Sequence, residues 1–445
     1  MEPRNSICCA YNYKKYMGSQ LTKVINIERK GTVMNNILDY IRWRGDLSFE
    51  QSPFNEVDNM IFSKLSYLNF RGMIGEDLTY GIPLYQVAKA YFDFGEKGKI
   101  QPGDLMKEEL IELLRLMAAS RRFSELLLSN YVDIIDLEKE MQFAALTIHL
   151  GNYCSYLAFR GTDDTLVGWK EDFNMSVMER VPSQVEALEY YLRIAKQYDR
   201  HRFILGGHSK GGNLAVYAAV HAPKEEQQRI ISVYNNDGPG FHQSIFDKPE
   251  YKNIAARIIT LIPQSSIIGM LLEHEENYTI VKSFQKGFLQ HFGYNWEVEG
   301  TSFVHLKNIT QESQLLDMTL RRFLYSLSIE KREQFTNTLF EILSSNESRT
   351  LSDIKLGSLR VLKAMLKTYD NLDMDVKKAI NNTLSLLFAE GIKSIREVNN
   401  PEEWKGRLPV ININWRKHGE RIKEEILLKE KEIQQKLLKL GGKDT

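Results

Sequence analysis

A short glycine-rich turn, Gly207-His208-Ser209-Lys210-Gly211, constrains the fold of this chain more than any other feature. Residues 203–205 before it are apolar and typical of a buried strand, and residues 213–220 after it favour a helix. A Gly-x-Ser-x-Gly turn between a strand and a helix predicts a strained serine whose hydroxyl is presented to a site. Side chains at the two glycines are expected to clash with the neighbouring strand or helix. The alternative interpretation is a glycine-rich turn that carries an ordinary serine.

Serine is a poor nucleophile unless a base accepts its proton and a carboxylate orients that base. In folds with this turn the acid and then the histidine follow the serine along the chain. Asp237, in the glycine- and proline-rich residues 235–240 after a predicted strand, is the best candidate acid, although it could bond only its own turn. Asp247 is a weaker candidate, and residues 264–266 after the next predicted strand contain no carboxylate.

Three histidines follow Asp237 and are candidates for the base. His291 lies in residues 289–296, an aromatic and glycine-containing loop after the last predicted core strand, and is the preferred candidate. His305 lies in an alternating run typical of an edge strand, and His274 lies among glutamates typical of a solvated helix face. His208 is adjacent to Ser209 and is expected only to pack.

A serine mechanism also needs N–H donors for the oxyanion. The backbone N–H of Lys210 is predicted to be one donor, because it begins the helix after the nucleophile. Thr162, in the loop Arg160-Gly161-Thr162 after an early strand, is predicted to supply the second. Asp172 follows Trp169 and could either cap a helix or serve the site.

The order of apolar segments predicts an α/β fold with a mostly parallel sheet and helices on both faces. The predicted strands are residues 143–150 and 153–159, which form a hairpin, then 203–205, 230–234 and 256–262; the predicted helices are 58–70, 105–127 and 181–198. The turn at Ser209 makes this fold an α/β-hydrolase, expected over residues 34–330.

Both ends of the chain differ from this core. Residues 1–33 show no period and are expected to be a disordered extension, with a plausible natural start at Met34 and a helix over residues 34–41. Residues 331–445 are expected to form a helical C-terminal region. Its last stretch, 422–440, is typical of a solvated amphipathic helix rather than a coiled coil.

Composition narrows the function classes. Lys+Arg and Asp+Glu both number 58, so the charge balance does not indicate a nucleic-acid partner. The cysteines Cys8, Cys9 and Cys154 have no disulfide or metal spacing, which favours a reducing, cytoplasmic location. No apolar run reaches the ~18 residues of a membrane span, and residues 1–34 do not resemble a signal peptide. No cofactor is expected, and a lipid substrate would be met at a membrane surface or as a dispersed molecule.

Several of these segments carry a family resemblance. Residues 159–162, Trp169, Asp172 and residues 207–212 resemble the fungal-type (class 3) triacylglycerol lipases. Residues 34–41, 235–240 and 290–296 more closely resemble a bacterial family of lipase-like α/β-hydrolases, the Mbeg-like proteins. The resemblance covers roughly residues 34–323.

The resemblance implies an α/β-hydrolase fold, a nucleophile at Ser209 and an oxyanion donor at Thr162, but no particular substrate. In one respect the chain departs from the class 3 lipases. They carry their acid in an Asp-x-Val-Pro-like segment, where this chain has Ser-Ser-Ile-Ile at 265–268. Either Asp237 has taken the role of the acid or the triad is incomplete.

The leading hypothesis is therefore a serine hydrolase that cleaves a carboxylic ester of an acyl lipid or a similar apolar acyl donor. One alternative is a thioesterase or peptidase that uses the same triad. Another is a non-catalytic binding or regulatory module with the α/β-hydrolase fold.

Overall fold

The structure is a computed structural model, and the residues that it describes define one sheet with its helices. They are residues 35–77, 79–95, 107–151, 153–163, 165–175, 178–266, 278–285 and 287–309, with the single positions Glu330, Glu333, Thr336, Asn337, Phe340 and Met374. The chain divides into two compact units, Met1–Leu327 and Ser328–Thr445, and the fold below is that of the first. The predicted N-terminal extension lies outside the described residues, as does the predicted C-terminal helical region apart from those single positions.

Eleven strands occur in the described part of the chain. They are β1 (Ile82–Pro83), β2 (Leu127–Asp136), β3 (Met141–Gly151), β4 (Cys154–Phe159), β5 (Arg202–His208), β6 (Ile230–Asn236), β7 (Ile258–Pro263), β8 (Tyr278–Val281), β9 (Val298–Glu299), β10 (Ser302–Phe303) and β11 (His305–Leu306). Nine of them form one sheet in the order β1-β2-β3-β4-β5-β6-β7-β8-β11, and β9 pairs only with β10.

The middle of the sheet is parallel and both of its margins are antiparallel. Strands β4 to β8 run parallel to one another. Strands β1 to β4 pair antiparallel, and so do β8 and β11. The predicted hairpin before the turn at Ser209 is β3 with β4. The fold class is α/β, of the α/β-hydrolase type expected from the sequence, with the antiparallel margins as an addition.

Nine α-helices occur among the described residues. They are α1 (Ile37–Arg44), α2 (Glu56–Leu65), α3 (Leu84–Gly95), α4 (Lys107–Ala119), α5 (Leu166–Asn174), α6 (Pro182–Gln197), α7 (Lys210–His221), α8 (Lys224–Gln227) and α9 (Pro249–Ile254). Helix α2 begins where the Asn55 side chain accepts the N–H of Asp58 and the Asp58 carboxylate accepts the N–H of Asn55. This reciprocal capping box sets the helix start from local sequence.

Both faces of the sheet are covered. Successive side chains of a strand point to opposite faces. In β4, Tyr156 and Ala158 join the core formed with α1 to α4, whereas Leu157 and Phe159 join the core formed with α6 and α7. Buried on both faces, the central strands read as continuous apolar runs, as parallel strands do.

Several predicted helices have different bounds, and several elements were not predicted, among them β2 and α3. The helix expected over 34–41 spans Ile37–Arg44. The helix expected over 58–70 spans Glu56–Leu65, and the one expected over 105–127 ends at Ala119. Strand β2 begins at Leu127 and helix α3 precedes α4. The short apolar run before β2 does not distinguish helix from strand by period alone. Asn130, with φ +52°, also interrupts the β2–β3 register.

The carboxyl ends of the parallel strands lie at one edge of the sheet, which is where open α/β sheets bind ligands. The residues that follow β4, β5, β6 and β7 therefore meet there: Arg160, Ser209, Asp237 and Gln264. In the described part of the chain, no helix has the length and apolar character that crossing a bilayer requires.

Candidate active site

Ser209 lies at the turn between β5 and α7 with the backbone of a nucleophile elbow. Its φ is +59° and its ψ is −133°, a region that costs a non-glycine residue conformational energy. The serine side chain makes no cap hydrogen bond to α7, although it stands at the N-cap position. The turn therefore holds the hydroxyl at the carboxyl edge of the sheet, where it does not cap helix α7.

The glycines around the elbow are required by close packing, as expected from the sequence. A Cβ atom on Gly207 would lie 2.3 Å from the backbone carbon of Gly211. A Cβ atom on Gly211 would lie 2.1 Å from the carbonyl oxygen of Phe159. Both clashes are with backbone atoms, which could move only by distorting the strand or the helix. Only glycine therefore fits at either position.

Asp237 follows β6 in a left-handed conformation, with φ +53°, and its side chain is fully buried. Its N–H donates to Leu261 O at 2.8 Å, and its carboxylate Oδ2 is 2.7 Å from His291 Nδ1. The side-chain hydrogen bond within the turn is made by Asn235, whose Oδ1 accepts the N–H of Gly238 at 3.0 Å. The carboxylate of Asp237 is therefore directed at the histidine and not at its own turn.

His291 lies at the end of a 3₁₀ turn, Gly287–His291, and is largely buried. The loop is held by its own polar groups: Trp296 Nε1 and Asn295 Nδ2 both donate, each at 2.8 Å, to the carbonyls of Gln290 and Leu289 respectively. Of the three histidines considered, this is the one that the structure places against Asp237.

The segment after β7 contributes a residue that sequence analysis missed. It carries no carboxylate, but Ser266 Oγ donates a hydrogen bond to Asp237 Oδ1. Next to it, the N–H of Ser265 donates to Gln290 Oε1 at 3.1 Å, which ties this segment to the His291 loop. Only the position of Ser266 after a predicted core strand could have indicated this contact.

The structure places the weaker candidates elsewhere. The side chain of His305 is half exposed on β11 and bonds Glu56 Oε1 at 2.8 Å. Asp247 is exposed, and His274 lies outside the described residues. The expectation that His208 only packs was wrong, because its Nε2 donates to the carbonyl oxygen of His291 at 2.6 Å.

The predicted oxyanion loop lies beside the elbow. A Cβ atom on Gly161 would lie 3.2 Å from Ser209 Cβ. Thr162 Oγ1 donates to Asp172 Oδ2 at 2.5 Å, and helix α5 is capped by Thr165. Asp172 therefore binds Thr162 and does not cap the N-terminus of α5.

Lys210 places a buried charge behind the elbow, a feature that sequence analysis did not identify. Its Nζ donates three hydrogen bonds of 2.9 Å, to the carbonyl oxygen and Oε1 of Gln142 and to Glu171 Oε2. The Lys210 and Glu171 side chains are both fully buried. Glu171 Oε1 also accepts the N–H of Ser183 at 2.8 Å, so the pair joins α7 to β3, α5 and α6.

Burial raises the pKa of Asp172 to about 6, although the charge of Lys210 and the hydrogen bond from Thr162 both lower it. Its Oδ1 is buried and has no hydrogen-bond partner among the described residues. The carboxyl therefore keeps its proton to a higher pH in the folded protein than in the unfolded chain. The folded state binds more protons between about pH 4 and 6, and stability is lost as the pH rises through the folded pKa.

Asp172→Asn is expected to become more stable relative to the wild type as the pH rises from about 4 to 7, by up to about 2 kcal/mol. The amide stays neutral and so avoids the cost of a buried carboxylate. Urea unfolding at a series of pH values measures the difference. Asp46→Asn, at an exposed position, is the control and should show a flat difference. A flat profile for Asp172→Asn would contradict the raised pKa.

Among the described residues, no group of three or more His, Cys, Asp or Glu side chains is arranged to hold a metal ion. Cys154 is a free, partly buried thiol. At the carboxyl edge, His291 is hydrogen-bonded to Asp237.

A family model described as Mbeg1-like matches residues 117–341 of the chain. Among solved structures, the Rhizomucor miehei lipase propeptide complex is similar at 14% identity, covering 51% of this chain and 68% of that chain with a TM-score of 0.31. Lip2 lipase from Yarrowia lipolytica is similar at 12% identity, covering 58% and 89%, with a TM-score of 0.31. A mutant form of MDLA from Penicillium cyclopium is similar at 11% identity, covering 56% and 83%, with a TM-score of 0.34. No curated protein matches the chain.

Proposed function

The chain belongs to the Mbeg1-like family, and we propose that it is a serine hydrolase that cleaves carboxylic esters with Ser209, His291 and Asp237. The observation that carries the proposal is the 2.7 Å hydrogen bond between Asp237 Oδ2 and His291 Nδ1. It lies beside a serine whose φ of +59° is that of a nucleophile elbow. A buried carboxylate on an imidazole next to a presented hydroxyl is the arrangement that activates serine.

The hydrogen bond to Asp237 places the ring proton of neutral His291 on Nδ1, which leaves a lone pair on Nε2 to act as the base. The proposed reaction requires His291 Nε2 to contact Ser209 Oγ. Catalytic hydrogen bonds of this kind commonly tighten only when substrate binds.

In the first half of the proposed reaction, Ser209 Oγ attacks the ester carbonyl carbon while its proton moves to His291 Nε2. The tetrahedral intermediate then expels the alcohol, which takes that proton, and an acyl-serine remains. Water repeats the sequence with His291 as base, so that the acid is released and Ser209 is regenerated.

The oxyanion is proposed to bind the backbone N–H of Lys210 and a donor of Thr162. The N–H of Lys210 is at the first residue of the 12-residue helix α7, where helix N–H groups and the helix dipole favour a negative charge. The Thr162 hydroxyl donates to Asp172 in the structure. Protonated Asp172 could donate to that hydroxyl in return, which would free the Thr162 proton for the oxyanion.

The substrate class is proposed from sequence. The resemblance of residues 159–162 and 207–212 to class 3 lipases supports an ester of an apolar acyl group. A thioester or a peptide bond would use the same residues, so the discrimination is experimental.

A fluorophosphonate probe, which reacts with activated serines, tests the proposal. The wild-type protein should be labelled, and Ser209→Ala should not. Ser155→Ala is the matched control, because Ser155 is buried between His149 Nδ1 at 3.1 Å and His201 Nδ1 at 2.8 Å, at the opposite edge of the sheet. This variant should be labelled like the wild type. An unlabelled wild-type protein would contradict the proposal and favour a binding module.

Hydrolysis assays then separate the substrate classes. Nitrophenyl esters of increasing acyl length, acyl thioesters and short peptides are compared by kcat/KM. The proposal expects the highest value on an ester. A higher value on a thioester or a peptide would keep the serine mechanism and reassign the substrate.

A further inference from the structure

The ring of His208 is directed at the backbone of His291. His208 is buried, its Nε2 lies 2.6 Å from the carbonyl oxygen of His291, and the two ring centroids are 4.5 Å apart. A carbonyl oxygen only accepts hydrogen bonds, so this contact requires the proton of His208 to be on Nε2.

The opposite side of the same ring faces a lysine ammonium and a tyrosine hydroxyl, and that hydroxyl also donates to the His208 carbonyl oxygen at 3.4 Å. Lys64 Nζ lies 3.2 Å and the Tyr67 hydroxyl 3.1 Å from His208 Nδ1. An ammonium group donates and cannot accept, so Nδ1 has to offer its lone pair. The His291 carbonyl oxygen and the Lys64 ammonium therefore select the neutral Nε2–H tautomer and oppose a second proton on the ring. Burial and the charges of Lys64 and His291 lower the pKa of His208 well below its usual value.

Side chains of helix α2 also contact the residues that follow His291. Lys64 Nζ lies 5.5 Å from the ring centre of Tyr294 and 6.0 Å from that of Phe292, distances at which a cation is attracted to an aromatic face. A Cβ atom on Gly293 would lie 2.4 Å from Met60 Sδ. The polar contact through His208 and the close packing of Gly293 thus hold the His291 loop from adjacent positions.

We propose that His208, held in its Nε2–H tautomer by Lys64 and by the His291 carbonyl oxygen, is a positioning residue that fixes the backbone of His291. The inference rests on the proposed function: it assigns to His208 the task of keeping the His291 ring on Asp237 and directed at Ser209. Keeping His208 uncharged serves the same reaction. An imidazolium 4.5 Å from His291 would oppose the charge that His291 gains in the transition state.

Two variants at this position separate the hydrogen bond from the packing. His208→Leu fills the space without a donor, whereas His208→Gln places an amide N–H near the position of Nε2. We expect His208→Leu to lower kcat on the order of 10²-fold with little change in KM, because a small displacement of a catalytic group has an effect of this size. His208→Gln should recover most of that loss.

His149→Leu is the matched control, since His149 is a partly buried histidine that also has two side-chain hydrogen bonds, to Ser129 and Ser155. It should lower stability and leave kcat unchanged. Wild-type kcat in His208→Leu, or equal losses in the leucine and glutamine variants, would overturn the proposal.

A measurement that needs no activity accompanies the kinetics. In ¹⁵N-histidine-labelled protein, the His208 signals, assigned by their loss in His208→Gln, should be those of a neutral Nε2–H ring at neutral pH. The His291 signals should move in His208→Leu and stay near the wild-type positions in His208→Gln. A protonated or Nδ1–H ring at His208 would overturn the proposal. Failure of the wild-type protein to react with fluorophosphonate would reject the hydrolase instead, and the NMR result would still decide whether His208 positions His291.

Discussion

Asp237→Asn is expected to lower kcat about 10⁴-fold while leaving the fold intact, because the amide would impose the wrong tautomer on His291. Ser266 Oγ donates to Asp237 Oδ1, so it favours the amide oxygen at that position. The amide NH₂ then faces His291 Nδ1, where Asp237 Oδ2 lies at 2.7 Å in the wild type. His291 has to accept at Nδ1 and carry its proton on Nε2, which leaves no base for Ser209.

Steady-state kinetics on the best ester measures this effect, with circular dichroism and thermal unfolding as checks on the fold. Asp247 was the weaker candidate acid, and it is exposed. As the control, Asp247→Asn should keep wild-type kcat. The double variant Asp237→Asn/Ser266→Ala removes the donor that orients the amide, so it should regain part of the lost rate. A kcat for Asp237→Asn within about tenfold of the wild type would contradict the proposed role of Asp237.

Lys210→Met is expected to lower the free energy of unfolding by about 3–5 kcal/mol, the usual cost of removing one partner of a buried ion pair. The ammonium of Lys210 is 2.9 Å from Glu171 Oε2, and both side chains are fully buried. Without it, Glu171 would be a buried carboxylate that keeps only the backbone donors of Gln142 and Ser183, at 3.1 and 2.8 Å. Burying a charge with so little compensation is costly.

Urea unfolding measures the loss. Lys170→Met is the matched control, because Lys170 pairs with Glu140 where the two side chains are 20% and 39% exposed. A partly exposed pair of this kind should contribute less than about 1 kcal/mol. Lys210→Met/Glu171→Gln should recover part of the stability, since the amide carries no charge and still offers an oxygen to Ser183. A loss below about 1 kcal/mol in Lys210→Met alone would show that the pair does not hold the elbow.

The parts of the site that were predictable depend on short stretches of chain. The strand, the glycines and the helix around Ser209 are contiguous, and the clash of a Cβ atom on Gly207 with the backbone of Gly211 is local to the turn. The ends of β6 and β7 were within two residues of expectation, because buried parallel strands read as apolar runs. The start of β2 was missed since its first residues continue the apolar pattern of the preceding helix.

The hydrogen-bond partners within the site were harder to predict from the sequence. Ser266 and Asp237 are 29 residues apart, and His208 and the His291 carbonyl are 83 apart. The sequence indicated that a carboxylate and a histidine were needed, and it left the histidine open among three. A serine without special flanking residues, such as Ser266, carries no signal of its partner.

The sequence by itself determined the strained turn at Ser209 and the α/β order of strands and helices, because backbone sterics and hydrophobic periodicity act over a few residues. Only the tertiary structure decided that His291 meets Asp237, that His208 holds the His291 backbone, and that Lys210 is buried against Glu171. These contacts join segments far apart in the chain. Their partners are chosen by how the sheet edge, α2 and α5 pack, which no local pattern encodes.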